Sequence, residues 1–259
     1  MFADLAASRE LAWRFATRDI KAQYRDSFLG FLWAFITPVM SAATWLFLNA
    51  AGIVRVADTD IPYAAYVFTG TMLWQVFTEA LNTPLGQINA ARAMLAKLNF
   101  PRESLLLSGL LKLLYNAGIK VAIMLPVIMV LGVWPDWHIL LFPLGILTLA
   151  LVGFTIGLLI APVGMLYSDI GRVLPILTQV AMYTAPVVFA MPKSGLTATL
   201  FSLNFMTPVI LTSRAWLTGF ASPMPLYFAA VAAVALVLLV MAWFVFRITM
   251  PVIIERMSA

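Results

Sequence analysis

Residues 226–246 read LYFAAVAAVALVLLVMAWFVF, a run with no charged side chain and no alternation of polar and apolar positions. At 1.5 Å per residue a helix of this length crosses roughly 30 Å, the thickness of a bilayer's hydrocarbon core. In lipid, only a helix or a closed barrel satisfies its own backbone. Barrel strands alternate over about ten positions, so the run reads as a membrane-spanning helix. The rest of the chain has the same character: 63% of its residues are hydrophobic and 10% charged. Soluble domains run nearer half apolar and a quarter charged.

Outward from that run, further charge-poor stretches lie at 27–54, 61–88, 104–133, 137–167 and 173–192, with the last span at 226–247. The expected fold is an all-α membrane protein, a single domain over 1–259 with six transmembrane helices. Residues 193–225 are rich in Ser, Thr and Pro and too broken for a clean span. They are expected to hold re-entrant segments on the external side, before the last span. The first 26 residues continue as polar, helix-forming sequence where a signal peptide would turn apolar. At about 100° per residue Glu10, Arg14, Arg18, Lys21 and Arg25 share one sector, and Leu5, Leu11, Phe15, Ile20 and Tyr24 lie outside it. That pattern predicts an amphipathic interfacial helix, its basic face toward water and acidic headgroups.

The net charge of +5 is read as an orientation signal rather than as a nucleic-acid footprint. With the N-terminus inside, Arg9, Arg14, Arg18, Lys21, Arg25, Arg92, Lys97, Arg102, Arg172, Arg247 and Arg256 are cytoplasmic. Only Arg55, Lys193 and Arg214 fall outside, so both termini are expected in the cytoplasm. The chain has no cysteine, which excludes disulfides and thiolate sites. Its single histidine, His138, sits beside Trp137 in an expected external turn and reads as an interfacial side chain. Carboxylates are scattered, with no close pair for acid–base work and no metal-binding cluster, so no catalytic site is expected.

Several short stretches carry a physical reading of their own. In Asn99-Phe100-Pro101-Arg102-Glu103 the proline opens a new helix, leaving 91–99 as a short cytoplasmic segment between two spans. A stiff loop carrying Arg92, Lys97 and Arg102 suits the docking of a partner. In Tyr167-Ser168-Asp169-Ile170-Gly171-Arg172 the two charged residues are three apart, within reach on a helical turn. Tyr66, Trp74 and Phe77 return to one face of the second span and offer flat, non-directional surfaces along which a substrate could pass. Glu79, Lys112 and Lys120 sit inside otherwise apolar spans, where an ion is costly unless paired. Helical rise places them about 27, 31 and 20 Å from the outer edge, so depth pairs Glu79 with Lys112 and leaves Lys120 to the substrate path.

The stretch from Arg18-Asp19-Ile20-Lys21 through Ser27-Phe28-Leu29-Gly30, Trp33 and Pro38 resembles the approach to the first membrane helix of type-2 ABC export permeases. It is most similar to the polysaccharide-export branch that carries O-antigens and teichoic acids. The segments at Asn99–Glu103, Tyr167–Pro175 and Leu203–Pro208 resemble that family's first cytoplasmic loop, its turn between helices four and five, and its outer edge. The resemblance implies a multi-pass inner-membrane homodimer exporting a polysaccharide, probed first as a polyprenyl-linked O-antigen, then as capsular polysaccharide or teichoic acid. It also implies a cytoplasmic ABC ATPase in two copies. No Gly-x-x-x-x-Gly-Lys-Ser/Thr phosphate loop is present, so ATP and Mg belong to that partner and this chain needs no cofactor of its own. ATPase coupling is expected at Arg92, Lys97, Phe100, Pro101 and Arg102, with Tyr167, Asp169 and Arg172, and Arg14 and Arg18 of the first helix. A membrane glycosyltransferase is the alternative of a different class; it calls for acidic metal-binding motifs, which the sequence lacks.

Overall fold

The computed structural model describes residues 2–25, 32–53, 59–95, 101–192, 194–220 and 222–258, and every regular element among them is helical. In chain order these are α1 (Phe2–Arg25), α2 (Trp33–Ala50), α3 (Tyr63–Ala90), the single turn α4 (Arg92–Leu95) and α5 (Glu103–Val130). A 3-10 turn at Trp137–Leu141 leads into α6 (Phe142–Leu166), then α7 (Asp169–Tyr183), α8 (Gly195–Leu203), α9 (Met206–Thr218) and α10 (Pro225–Ser258). Three described helices, Glu103–Val130, Trp137–Leu166 and Pro225–Ile253, are long and apolar enough to cross a membrane. The apolar pair α8 and α9 makes a fourth if it counts as one span, although it is bent by 83°.

The molecule is arranged around α3, which is buried along most of its length. Its largest partner is α6, and glycines set the closeness of that contact. A side chain at Gly153 would fall 2.8 Å from the Ala80 Cβ, and one at Gly157 would collide with the Leu81 carbonyl. Glycines four residues apart present a groove along one side of α6, so two backbones approach and trade contacts along their length. The pairing 77–81 with 153–157, and Leu85 with Gly164, shows α3 and α6 running in the same direction. On another face α5 runs antiparallel, with Gly109 against Thr83 and Gln87. The outermost helix, α10, lies on α6 and leaves Val237, Val240, Met241 and Phe244 exposed, the surface a lipid-facing helix presents.

Two expectations are revised. The span foreseen at 173–192 is a helix only over Asp169–Tyr183, fifteen residues or about 22 Å of rise. Pro186 explains the early stop: it has no N–H to give and its ring would clash with the turn before it. The chain instead passes through turns over 184–188 and is buried at Ala185, Val187 and Val188. Asn204, at the elbow between α8 and α9, holds the end of α7 in place. Its amide donates to the Thr184 carbonyl at 3.0 Å while its own oxygen accepts from the Met206 N–H at 2.9 Å.

The second revision concerns α1. It does not present a plain apolar face; it packs along α5 and buries the small residues Ser8, Ala12 and Ala16, one per turn. Small side chains let the two helices approach closely, while Arg14, Arg18, Lys21 and Arg25 remain exposed on the other side.

Replacing Gly157 by leucine should force α6 off α3 and lower stability by roughly 1–3 kcal/mol, as overpacking does. Thermal unfolding of the purified protein should show the loss. Gly118→Leu, at a position with no neighbour within 4 Å, should leave the midpoint nearly unchanged.

Candidate functional site

Glu79 lies in the middle of α3, and the structure pairs it with Lys120, not with Lys112. The Lys120 ammonium donates to Oε2 and the Asn116 amide donates to Oε1, with the two charged side chains 12% and 28% exposed. Register explains the correction. The antiparallel contacts of α3 with α5 set Glu79 opposite Asn116, and Lys112 and Lys120 are each one turn away from it. A helical side chain leans toward its helix's N-terminus. Lys120 therefore leans back onto Asn116 and Glu79, whereas Lys112 leans away. Depth along two straight helices, the basis for choosing Lys112, ignores this lean.

Below this pair, α1, α3 and α5 line an open cleft of about 610 Å³, its largely carbon wall set with polar side chains. One stripe of α3 supplies Glu79, Asn82, Thr83, Gly86 and Gln87, at the three- and four-residue steps that keep side chains on one helical face. Asp19 and Gln23 of α1 and Lys112 of α5 complete the wall. The Asn82 amide donates to the Thr78 carbonyl and the Thr83 hydroxyl to the Glu79 carbonyl, so both side chains are held against their own helix with oxygens free to accept. The sequence carried this signal as polar residues at helical spacing within a span; attention to the charges alone passed over it.

A second polar node lies where α9 meets the start of α3. Arg214 is 4% exposed, and no carboxylate is within ion-pair distance of it among the described residues. Its guanidinium carbon stands 3.7 Å from the centre of the Tyr66 ring; Nη2 donates to the Val187 carbonyl at 3.1 Å, and Nε to the Thr69 hydroxyl at 3.3 Å. The Tyr66 hydroxyl reaches the Pro186 and Phe189 carbonyls at 3.2 Å. Gly70 leaves the room, since any side chain there would collide with Arg214 and with the Val187 carbonyl. An arginine expected at the external surface is thus a buried structural donor.

That node corrects the substrate-path assignment. Tyr66, Trp74 and Phe77 are buried inside the protomer, Tyr66 under Arg214 and the other two against one another with ring centres 5.0 Å apart. Their faces are occupied by packing, and Lys120 is occupied by Glu79. None of the four presents a free surface to a passing chain.

The residues expected to couple to an ATPase are scattered over exposed segments. Arg92 opens α4 and is exposed, as is Pro101, whose carbonyl accepts from the Ser104 hydroxyl at 2.6 Å. Arg102 is half-buried, and Lys97 and Phe100 lie outside the described residues. Tyr167 is exposed; Arg172 Nη1 is 3.6 Å from Asp169 Oδ1 on the same first turn of α7. On α1, Arg14 pairs with Glu10 at 2.6 Å, and Arg18 pairs with Asp19 at 2.8 Å while lying over the Phe15 ring.

Because Glu79 and Lys120 are largely withdrawn from solvent, breaking the pair from either side should be expensive. Glu79→Gln and Lys120→Met should each destabilise by about 2–4 kcal/mol, since each strands a buried polar or charged partner. The double variant should be more stable than the two losses added together predict, by about 1 kcal/mol or more. Strict additivity in chemical or thermal unfolding would mean that the pair is not coupled.

Comparison with known proteins places this arrangement. The O-antigen export system permease protein RfbA of Myxococcus xanthus is 27% identical over 225 residues, covering 86% of this chain and 85% of that protein. RfbA of Klebsiella pneumoniae is 25% identical over 182 residues, covering 67% and 66%. The polysialic acid transport protein KpsM of Escherichia coli is 25% identical over 177 residues, covering 66% and 67%. Residues 10–215, which run from α1 through the Arg214 node, match the ABC-2 type transporter family. A match over that much of the chain, on long apolar helices, makes this protein a multi-pass membrane member of the ABC-2 type transporter family.

Proposed function

We propose that the chain is the membrane-spanning subunit of an exporter that carries a cell-surface polysaccharide, in the first instance a lipid-linked O-antigen, out across the bacterial inner membrane. The observation that carries this reading is the similarity over 225 residues to a permease named for O-antigen export, within a family match that spans most of the helices. Capsular polysaccharide is the second reading, favoured by the similarity to a polysialic acid transporter.

Six crossings by α2, α3, α5, α6, α7 and α10, with both termini cytoplasmic, form the proposed topology. The parallel course of α3 and α6 and the antiparallel course of α5 support it, as does the excess of cytoplasmic Lys and Arg. In it α1 rests at the cytoplasmic interface with its basic face outward, and the bent pair α8–α9 dips in from the outside as a re-entrant hairpin. A homodimer is proposed because α7 is sparsely attached to its own protomer: Val173, Ile176, Leu177 and Val180 are all exposed. A second copy across that face would enclose the path for the glycan.

Energy comes from a separate ABC ATPase, which brings ATP and its metal ion. The loop from Ala91 to Arg102 is its main proposed docking element, with Arg92, Lys97, Phe100, Pro101 and Arg102 in the contact. Tyr167, Asp169 and Arg172 at the start of α7, and Arg14 and Arg18 on α1, are secondary contacts. Force from a soluble motor enters best through a short stiff element joined directly to two spanning helices, and this loop joins α3 to α5.

Two measurements check this reading. A single cysteine at Asp136, the sole thiol in the chain, should react with an impermeant reagent in intact spheroplasts. Labelling only after lysis would invert the topology. Lys97→Glu with Arg102→Glu should leave the protein inserted but lower ATPase copurification and surface polysaccharide by about tenfold or more, as charge reversal at a complementary contact does. Normal copurification and export by that double variant would move the docking site elsewhere.

A further inference from the structure

Gly86 lies within α3, four residues before its end at Ala90, where a glycine is less stable than alanine by about 1 kcal/mol. Nothing among the described residues asks for it. A Cβ at this position would meet no described atom within 4 Å, and its backbone is ordinary helix. Gly109, on the opposite wall, is different: a Cβ there would fall 2.7 Å from Thr83 Cγ2 and 2.8 Å from Gln87 Cγ, so close helix packing requires it. The bare backbone at Gly86 keeps volume open in the cleft between α1, α3 and α5.

The walls define what would occupy that volume. Asn82 and Gln87 offer amides, each both donor and acceptor, and Thr83 offers a hydroxyl oxygen. Charge is nearly balanced: Asp19 is bound by Arg18 and Glu79 by Lys120, and Lys112 is a single cation with no ion-pair partner among the described residues. One cation among amides is a poor match for a polyphosphate. Most of the exposed wall is carbon, with amide, hydroxyl and charged tips set into it, a mixed surface that matches a sugar ring: its C–H faces lie on carbon while its hydroxyls donate to and accept from the polar tips. The cleft's size, about 610 Å³, is that of an ordinary small-molecule site.

We propose that this cleft is a carbohydrate-binding site, taking a hydroxyl-rich segment of the exported glycan on the cytoplasmic side of the membrane, with Gly86 holding space for a sugar ring. The proposal rests on the polysaccharide-export reading and adds to it a place where the chain is first held. Asn82 and Gln87 hydrogen-bond the sugar hydroxyls from α3, and Lys112 of α5 accommodates an acidic substituent.

The test uses the full chain with its copurified ATPase in lipid nanodiscs, free of sugar-headed detergents that would compete for the cleft. The probe is the surface polysaccharide of the producing cells, freed of lipid, fluorescently labelled at its reducing end and followed by anisotropy. Gly86→Trp fills the cleft from a position where a Cβ meets no described neighbour, and Asn82→Leu with Gln87→Leu removes its α3 amides. Each should weaken binding by about tenfold or more. Gly118→Trp, equally unobstructed but outside the cleft, should bind as the unaltered protein does. Gel filtration and retained ATPase confirm that each variant is folded. Unchanged binding by the cleft variants, or equal weakening by Gly118→Trp, would overturn the site. So would failure of the unaltered protein to bind; cells lacking the chain then separate the two ideas. If they lose surface polysaccharide the export reading stands without this site, and if they keep it both are wrong.

Discussion

Backbone carbonyls that are buried away from water and freed from a helix have to find donors, and at 184–189 this chain supplies them from two distant elements. Arg214 comes from α9 and Tyr66 from α3, converging on the carbonyls of Pro186, Val187 and Phe189. A lysine would offer a compact ammonium with no planar face to lay on the tyrosine ring; the guanidinium does both at once. Gly70 follows from this, because only a missing side chain admits the guanidinium beside α3. The early end of α7, the position of α9 and the burial of Tyr66 are thus parts of one solution to the break at Pro186.

The rest of α3 serves two kinds of contact on opposite sides. Toward α6 it meets glycines, and dispersion between close backbones replaces the hydrophobic drive that lipid does not supply. Toward α1 and α5 it presents polar side chains, with the Glu79–Lys120–Asn116 cluster at the top of the stripe. A bare carboxylate at that depth would be costly, and two donors from adjacent turns of α5 neutralise and hydrogen-bond it. The helix is consequently fixed on both sides, while α7 and α10 keep broad apolar surfaces exposed.

Much of this was legible in the sequence, and the failures have physical causes. Long charge-free runs gave α6 and the body of α10, and a run broken only by Lys112 and Lys120 gave α5, since near-continuous apolarity has one reading in a membrane. Four short motifs in the right order gave the family. The pairing of Glu79 was misread because helical rise fixes depth alone; the direction in which a lysine leans is a three-dimensional property. Tyr66, Trp74 and Phe77 were correctly seen as one helical face, but a sequence does not say whether that face meets a path or a neighbouring helix. Arg214 was assigned to the far side because its partners, the Val187 carbonyl, the Thr69 hydroxyl and the Tyr66 ring, lie on distant segments, and none is a carboxylate that would mark an ion pair.

Asn204 has a mechanical consequence. Its side chain holds the Thr184 carbonyl, just past the end of α7, with one hand and the first amide of α9 with the other, while the Thr207 hydroxyl bonds the Phe201 carbonyl across the 83° elbow. These short bonds make the junction a crank rather than a loose hinge: a tilt of α7 would pass at that pivot to α9, which carries the guanidinium bonded to the break at 187. The sparsely attached α7 is thereby tied, through Asn204 and α9, to the start of the buried frame that α3 provides.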